Sequence, residues 1–419
     1  MRMNKNCFLI CCIIVFSSVK ATAQNVSSPY SILGIGDIEN NDYGRFSASG
    51  NAGVSRREIG FYNFSNPASL TVIPYKSVNL DFTTRGRSGI FKLTGTDTFT
   101  NPSKDFVVKR VALSFKVTPT VAFAVGLKPF SSVNYQYTGM AAIKNEGVDY
   151  IRYVDGSGGI YKTYFSIAKE IKRGLSVGVT TSWLFGSLKN STEYYNPLIG
   201  LDVTKKEYKF YNAAGLQTGL QYYSKPGKKW QHTVGVTASL FTKLKGQNTT
   251  DYVENDSIIK SLEPENISMK LPVSFVAGYS IAKKSGLSLH VQGSYHQWPA
   301  QKLSYRTATV KDAYGLNAGI EYSKKMDVAG YSIEKFYLAC GVRMEQSYIV
   351  INHSALREYA FTLGAGKNIS PLIGINASME FGKRGQPSRN QIMENYLQYS
   401  IGITLKDLWY GTKKFGRYN

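Results

Sequence analysis

The chain has 419 residues, with 43% hydrophobic residues, Tyr 30, Phe 21 and Gly 39 but only Cys 4. That composition excludes a collagen, a disordered chain and a disulfide-stapled scaffold. Lys+Arg 50 against Asp+Glu 28 gives a net charge of +22, which draws the chain toward anionic surfaces without choosing among nucleic acid, anionic lipid and acidic protein.

Residues 1–24 read MRMNKNCFLICCIIVFSSVKATAQ. Arg2 and Lys5 precede an apolar run from Cys7 to Phe16, and Ala21-Thr22-Ala23 has the small-x-small form of a cleavage site, so the stretch is predicted to be a secretory signal peptide. A membrane anchor would need about twenty apolar residues. Cys11 and Cys12 follow large residues, unlike lipidation sites. Cleavage removes Cys7, Cys11, Cys12 and three cations, leaving Cys340 as the single cysteine and a charge of +19. One cysteine forms no internal disulfide, and no structural zinc pattern or other metal site is expected.

Downstream there is no apolar run long enough for a membrane helix. Two-residue alternation appears instead. In 174–187, Leu175, Val177, Val179, Trp183 and Phe185 share one face while Ser176, Gly178, Thr180 and Ser182 share the other. The split recurs in 371–382 and 395–406. Fourteen strands are predicted, at 77–85, 105–117, 119–128, 158–169, 174–188, 208–223, 229–243, 268–283, 286–298, 312–324, 334–346, 357–366, 371–382 and 395–406. Tight connections follow the even strands, except a longer one at 325–333. Long polar ones, such as 86–104, 129–157, 189–207 and 244–267, follow the odd strands, which is the alternation of outer-membrane barrels.

A secreted soluble sandwich also has alternating strands. Against it stand the strand lengths, since soluble strands average about five or six residues and membrane strands about nine to eleven. The polar faces are rich in Gly, Ser, Thr and Asn, as a lumen requires. Aromatic residues such as Trp183, Trp230, Trp298 and Tyr399 collect at strand ends, as interfacial girdles do. The expected fold is therefore all-β, a transmembrane antiparallel barrel of about 14 strands over 77–419 in a bacterial outer membrane, with both ends of the mature chain periplasmic or luminal. Lys169, Lys172, Arg173, Lys225, Lys228, Lys229, Lys283 and Lys284 crowd its tight turns, so anionic lipid accounts for the positive charge and nucleic acid is not an expected partner.

Residues 25–76 are rich in Gly, Ser and Asn and fit no strand. Irregular backbone is tolerated at membrane depth only inside protein or a wet lumen. The segment is predicted to plug the barrel; a periplasmic tail is the alternative.

Asn66-Pro67-Ala68, placed just before the first strand, resembles the hatch signature of the long-chain fatty-acid transporter (FadL-type) outer-membrane family. Ser28-Pro29-Tyr30-Ser31, Gly34-Ile35-Gly36-Asp37 and the ending Leu405-Lys406-Asp407-Leu408-Trp409 look like a branch common in Bacteroidota. The resemblance implies an N-terminal hatch, an apolar pocket, capture of hydrophobic molecules outside and sideways release into the membrane through a strand kink. Pro129 and Pro272 are candidate kink positions, since Pro donates nothing to a sheet ladder. Both also suit ordinary bulges.

No Gly-x-Ser-x-Gly, HExxH or Walker-type loop is present, so no enzyme and no cofactor is expected. His290 and His296 fall inward on one strand but about 20 Å apart, too far for one metal or one triad. His232 points outward, and His353 sits in an external connection. Inward charges are Asp81, Arg110, Lys116, Lys162, Glu321, Arg343 and Glu380, which suit salt bridges to the plug. Arg110 or Lys162 also suits the carboxylate of a fatty acid. Phe130, Tyr135 and Tyr137 are candidate ligand or loop contacts.

The leading expectation is passive uptake of fatty-acid-like hydrophobic molecules. A non-conducting barrel that binds other outer-membrane proteins in a secretion or assembly machine is the rival, and a general polar pore is a third reading. An alkyl-sized apolar pocket would mark the transporter, and a filled lumen the assembly subunit.

Overall fold

In a computed structural model, the structure describes residues 28–39, 42–93, 99–142, 149–196, 198, 200–224, 229–301, 308–328, 331–389 and 391–408. The expected signal peptide and Trp409 lie outside the described residues.

The strands in chain order are β1 (Asp37–Ile38), β2 (Ser77–Leu93), β3 (Phe99–Lys116), β4 (Val121–Ala142), β5 (Asp149–Lys172), β6 (Leu175–Asn196), β7 (Leu201–Tyr223), β8 (Trp230–Phe241), β9 (Leu244–Glu254), β10 (Ser257–Met269), β11 (Val273–Lys283), β12 (Leu287–Gln297), β13 (Ala308–Val310), β14 (Ala313–Val328), β15 (Tyr331–Ile351), β16 (Ser354–Ser370), β17 (Ile373–Arg384) and β18 (Met393–Leu408). β8 with β9 makes one stave, interrupted at 242–243, and β10 with β11 makes the next, interrupted at 270–272. With the short β1 and β13 set aside, fourteen antiparallel staves remain, as the alternation predicts. β18 pairs with β2 from Leu408↔Ser77 to Met393↔Lys92, so the ring is closed and has no lateral edge at that seam.

The two faces of the wall follow the alternation. In β6, Ser176 and Thr180 are buried while Trp183 is 50% and Phe185 40% exposed. Leu113, Val125, Phe165, Val236, Phe361 and Ile401 continue the outward apolar belt. Such a belt on a closed ring suits a hydrocarbon solvent, because the ladders of the ring pair the backbone groups of neighbouring staves. Among the described residues no helix is long and apolar enough to cross a membrane.

The expected long connections at 129–157, 189–207 and 244–267 are corrected: most of these residues continue as strands. β4 to β7 run 22 to 24 residues each, and β9 and β10 meet in a turn at Asn255 and Asp256, both at positive φ. Beyond the belt neither face meets lipid, so the apolar alternation fades while the backbone ladder persists. The expected longer connection at 325–333 is likewise short, since β14 reaches Val328 and β15 starts at Tyr331.

The N-terminal segment, described over 28–39 and 42–76, carries three short 3-10 stretches, Pro29–Ile32, Ser47–Ser49 and Pro67–Val72. Tyr62 hydrogen-bonds Ser166 on β5, Thr71 meets Ser176 on β6, Val54 N–H donates to Gln292 on β12, and Thr362 on β16 donates to the Ala48 carbonyl. One segment touching staves all round the ring lies within it. Small wall residues make the space: a Cβ on Gly178 would sit 2.5 Å from the Ala68 nitrogen, and one on Gly219 2.2 Å from Asn66 Oδ1.

Candidate lumenal site

Asn66 starts the Pro67–Val72 turn. Its Oδ1 accepts from Ala68 N–H at 3.0 Å, and its Nδ2 donates to the carbonyls of Val54 and Leu220. Pro67 occupies the first helical position, where a missing N–H costs nothing, and Ala68 is fully buried. The Asn66-Pro67-Ala68 motif is thus a cap that fastens the segment both to itself and to β7.

Charge fastens the other side. Arg45 donates to Glu321 on β14 at 2.6 and 2.8 Å and pairs with Glu334 on β15, while Arg56 donates to the same Glu321 at 2.7 Å. Arg110 bridges Asp42 and Asp81 and stacks 3.9 Å from the Phe64 ring, and Lys116 donates to the Thr71 carbonyl at 2.6 Å. Burial pulls the Arg57 guanidinium down to about 10, against the milder pull of Tyr223 and Glu170. Glu39 pairs with Lys109 at 2.5 Å. Burial pushes its carboxyl up, but Lys109 and Arg85 outweigh burial and hold it well below the usual range.

Near β4 the wall changes character. β3 and β4 pair only from Lys116↔Ala122 to Val111↔Leu127. Past Leu127, β4 pairs with β5, and with β1 at Ser131 and Ser132. The register slips between Pro129 and Ser131, so Phe130 is an extra, bulged residue. A second bulge, between Thr83 and Thr84 opposite Lys109, turns Lys109 and Arg110 both inward. Above Val111 and Leu127 the two staves therefore stand side by side without a ladder. Pro272 occupies the interruption between β10 and β11. Both prolines sit where a donor is not needed.

A cavity of about 290 Å³ opens behind this wall. Phe130, Phe241, Trp298 and Tyr348 form apolar parts of its lining; Phe130 and Phe241 meet edge to face at 5.4 Å, and Trp298 stacks on Tyr348 at 4.2 Å. The rest of the lining mixes neutral polar residues, such as Ser132, Gln217 and Ser294, with charged ones. Its carboxylates are engaged: Asp37 with Arg384, Glu39 with Lys109, Asp42 with Arg110, and Glu345 and Glu358 with Arg343. Lys128 and Lys162 are cross-strand neighbours on β4 and β5 that also line the cavity. Among the described residues neither makes a salt bridge to a carboxylate; Lys162 lies 5.5 Å from the Phe241 ring.

Of the expected contact residues, Phe130 and Lys162 come together at this cavity. Arg110 is held by two aspartates. Tyr135 is buried beside Val133, Val154 and Leu188 and donates to Asn190 at 3.0 Å, while Tyr137 is 37% exposed. His290 sits between Ser288 and Ser280, and His232 faces outward against Tyr279. Sequence reasoning missed Lys128, whose pairing with Lys162 depends on register. It also missed Arg45, Arg56 and Glu334; two arginines in a Gly/Ser-rich buried segment are the available signal, since buried cations require carboxylates.

A closed fourteen-stave ring with an outward apolar belt and an occupied lumen defines a transmembrane β-barrel of the outer-membrane type. The chain belongs to the BamG family, whose model matches residues 3–416. In structure it is similar to a Pseudomonas aeruginosa FadL homologue, with 13% identity over 88% of this chain and 98% of that one and a TM-score of 0.60. It is also similar to the Pseudomonas putida toluene transporter TodX, at 14% identity over 89% and 99% with a TM-score of 0.56. The Ralstonia pickettii toluene transporter TbuX gives 14% over 85% and 96%, with a TM-score of 0.54. No curated protein matches the chain in sequence. The likeness to FadL-type barrels is thus one of fold, and the family that the sequence fits is BamG.

Proposed function

We propose that this barrel is an outer-membrane channel for passive uptake of hydrophobic, fatty-acid-like molecules. They enter the cavity behind Phe130 and leave sideways between β3 and β4. The observation that carries this is the unladdered stretch beside the Phe130 bulge, next to a cavity whose lining includes the apolar Phe130, Phe241, Trp298 and Tyr348. Transfer needs no energy source: burial of apolar ligand surface, worth about 25 cal/mol per Å², and the ligand gradient drive it. Two of the structural neighbours, TodX and TbuX, are toluene transporters, which agrees with this reading. Residues 25–76 act as the hatch, with Asn66, Pro67 and Ala68 as its fastening, after removal of a signal peptide at 1–24. Lys128 and Lys162 receive a polar head group. The Bacteroidota-like motifs agree with such an origin, and membrane lipid covers the belt.

A second reading is favoured by the BamG family match together with the plugged lumen, whose remaining cavity has a mostly polar lining. In it the barrel conducts nothing and serves as a subunit of an outer-membrane secretion or protein-assembly complex. Purification from native outer membranes in mild detergent, with mass spectrometry of bound lipids and proteins, separates the two. A barrel carrying apolar molecules supports uptake. A stoichiometric protein partner with no apolar ligand supports the subunit.

A further inference from the structure

The staves β15 to β18 carry cations on both faces. On the inside, Arg343 pairs with Glu345, Glu358 and Glu380, and Arg384 pairs with Asp37. On the outside, Arg357 of β16 and Lys383 of β17 are exposed, and among the described residues neither side chain makes a salt bridge or a hydrogen bond. Parity turns them outward: Arg357 continues the exposed row Leu363, Phe361 and Tyr359, and Lys383 continues Met379 and Phe381. Tyr359 stands opposite Lys383 and Gln346 opposite Arg357, so the two cations are diagonal neighbours, roughly 7–8 Å apart at the backbone. The outward rows of these staves over 336–346, 357–369, 373–383 and 393–405 contain no carboxylate. Asp312, on the link between β13 and β14, already accepts from the Tyr295 hydroxyl and Trp298 N–H. The cations stand just beyond the aromatic edge of the belt, Tyr359 and Phe381, at the rim opposite the tight turns at 173–174 and 371–372. That rim lies at the head groups of the outer leaflet.

We propose that Arg357 and Lys383 form a binding site for the phosphate-bearing head group of an outer-leaflet lipid, whose acyl chains lie along Tyr359, Phe361, Phe381 and Met379. The guanidinium presents a planar fork that matches two phosphate oxygens, and the ammonium adds a point charge beside it. The apolar floor directly below the cations fixes the kind of anion. A free phosphate gains nothing from Tyr359 and Phe381, whereas a lipid pairs its head group with the cations and keeps its chains against the belt. An acidic protein segment would have to displace lipid to reach the same floor. The site is on the outer wall, so it is independent of whether the barrel conducts.

Native mass spectrometry of the full barrel in mild detergent measures the retention of added bisphosphorylated lipid A, with the same lipid stripped of its phosphates as comparison. The wild type should retain the phosphorylated lipid. Arg357→Gln with Lys383→Gln should lower the ratio of lipid-bound to free barrel about tenfold or more, with the barrel still heat-modifiable on gels and the dephosphorylated lipid retained equally by both proteins. Arg357→Lys with Lys383→Arg keeps the charge and should keep most of the binding. Lys169→Gln with Lys367→Gln removes two exposed cations from the opposite rim and should change nothing. Equal retention by the wild type and the Arg357/Lys383 double variant overturns the proposal. So does an equal loss in the opposite-rim variant, which would make the attraction one of net charge. Isothermal titration with inorganic phosphate separates the remaining source: heat from the wild type that the double variant lacks, with no lipid retained, would make this a site for free anions and overturn the lipid assignment.

Discussion

Glu321 on β14 accepts from two arginines of the N-terminal segment at once, Arg45 at 2.6 Å and Arg56 at 2.7 Å, all three side chains being at most 2% exposed. Removing one member of a buried ion group leaves the others desolvated and unpaired, at a cost of about 3–5 kcal/mol. Glu321→Gln should therefore loosen the segment while the wall, held by its ladders, persists. Trypsin should cut after Arg45, Arg56 or Arg57 in the variant and spare the wild type.

Glu39 gives that attachment a defined acid limit. Its carboxyl is held below the ordinary range by Lys109 and Arg85. A depressed folded pKa stabilises the folded arrangement fully above the ordinary carboxylate value of about 4.3 and loses that contribution as pH falls through the lowered one. Conductance of the reconstituted barrel should be constant in the pH 5–7 range and rise only in stronger acid. Glu39→Gln should remove the acid step.

The fold was readable because the alternation of period two is imposed by lipid on one face and lumen on the other, and both pressures act along the whole belt. Where β4 to β7 leave the belt the pressure ends, and residues such as Asn190, Ser191, Lys205 and Lys206 read as loop although the ladder continues. The site was readable only in part. Lys162 and Phe130 declare themselves by parity and by Pro129. The pairing of Lys162 with Lys128, and the joining of Arg45 to Glu334 across 289 positions, depend on register and closure that no local pattern encodes.

Gly178 should not tolerate a side chain. A Cβ there would lie 2.5 Å from both the Ala68 nitrogen and the Pro67 carbonyl carbon, where backbone must give way. Overpacking of this kind costs about 1–3 kcal/mol. Gly178→Val should lower the urea midpoint of the folded barrel and expose the Asn66-Pro67-Ala68 turn to protease.

Lys128 and Lys162 should set head-group preference. A hydrogen bond to a charged group is worth about 1.5–3 kcal/mol, so the double variant Lys128→Met with Lys162→Met should bind dodecanoate at least tenfold more weakly. Dodecanol binding should be unchanged. Isothermal titration of both probes against both proteins gives the comparison.

Uptake itself is tested most directly in vesicles with a lipopolysaccharide outer leaflet, by following labelled dodecanol into vesicles holding either the wild type or a variant from which Phe130 is deleted. Without the bulge, β4 runs on in regular register and the sideways opening narrows. Wild-type vesicles should fill faster than protein-free ones with no energy source, and the deletion should return the rate to the protein-free level. A folded wild-type barrel that fills vesicles no faster than lipid alone would contradict the channel and leave the non-conducting subunit in its place.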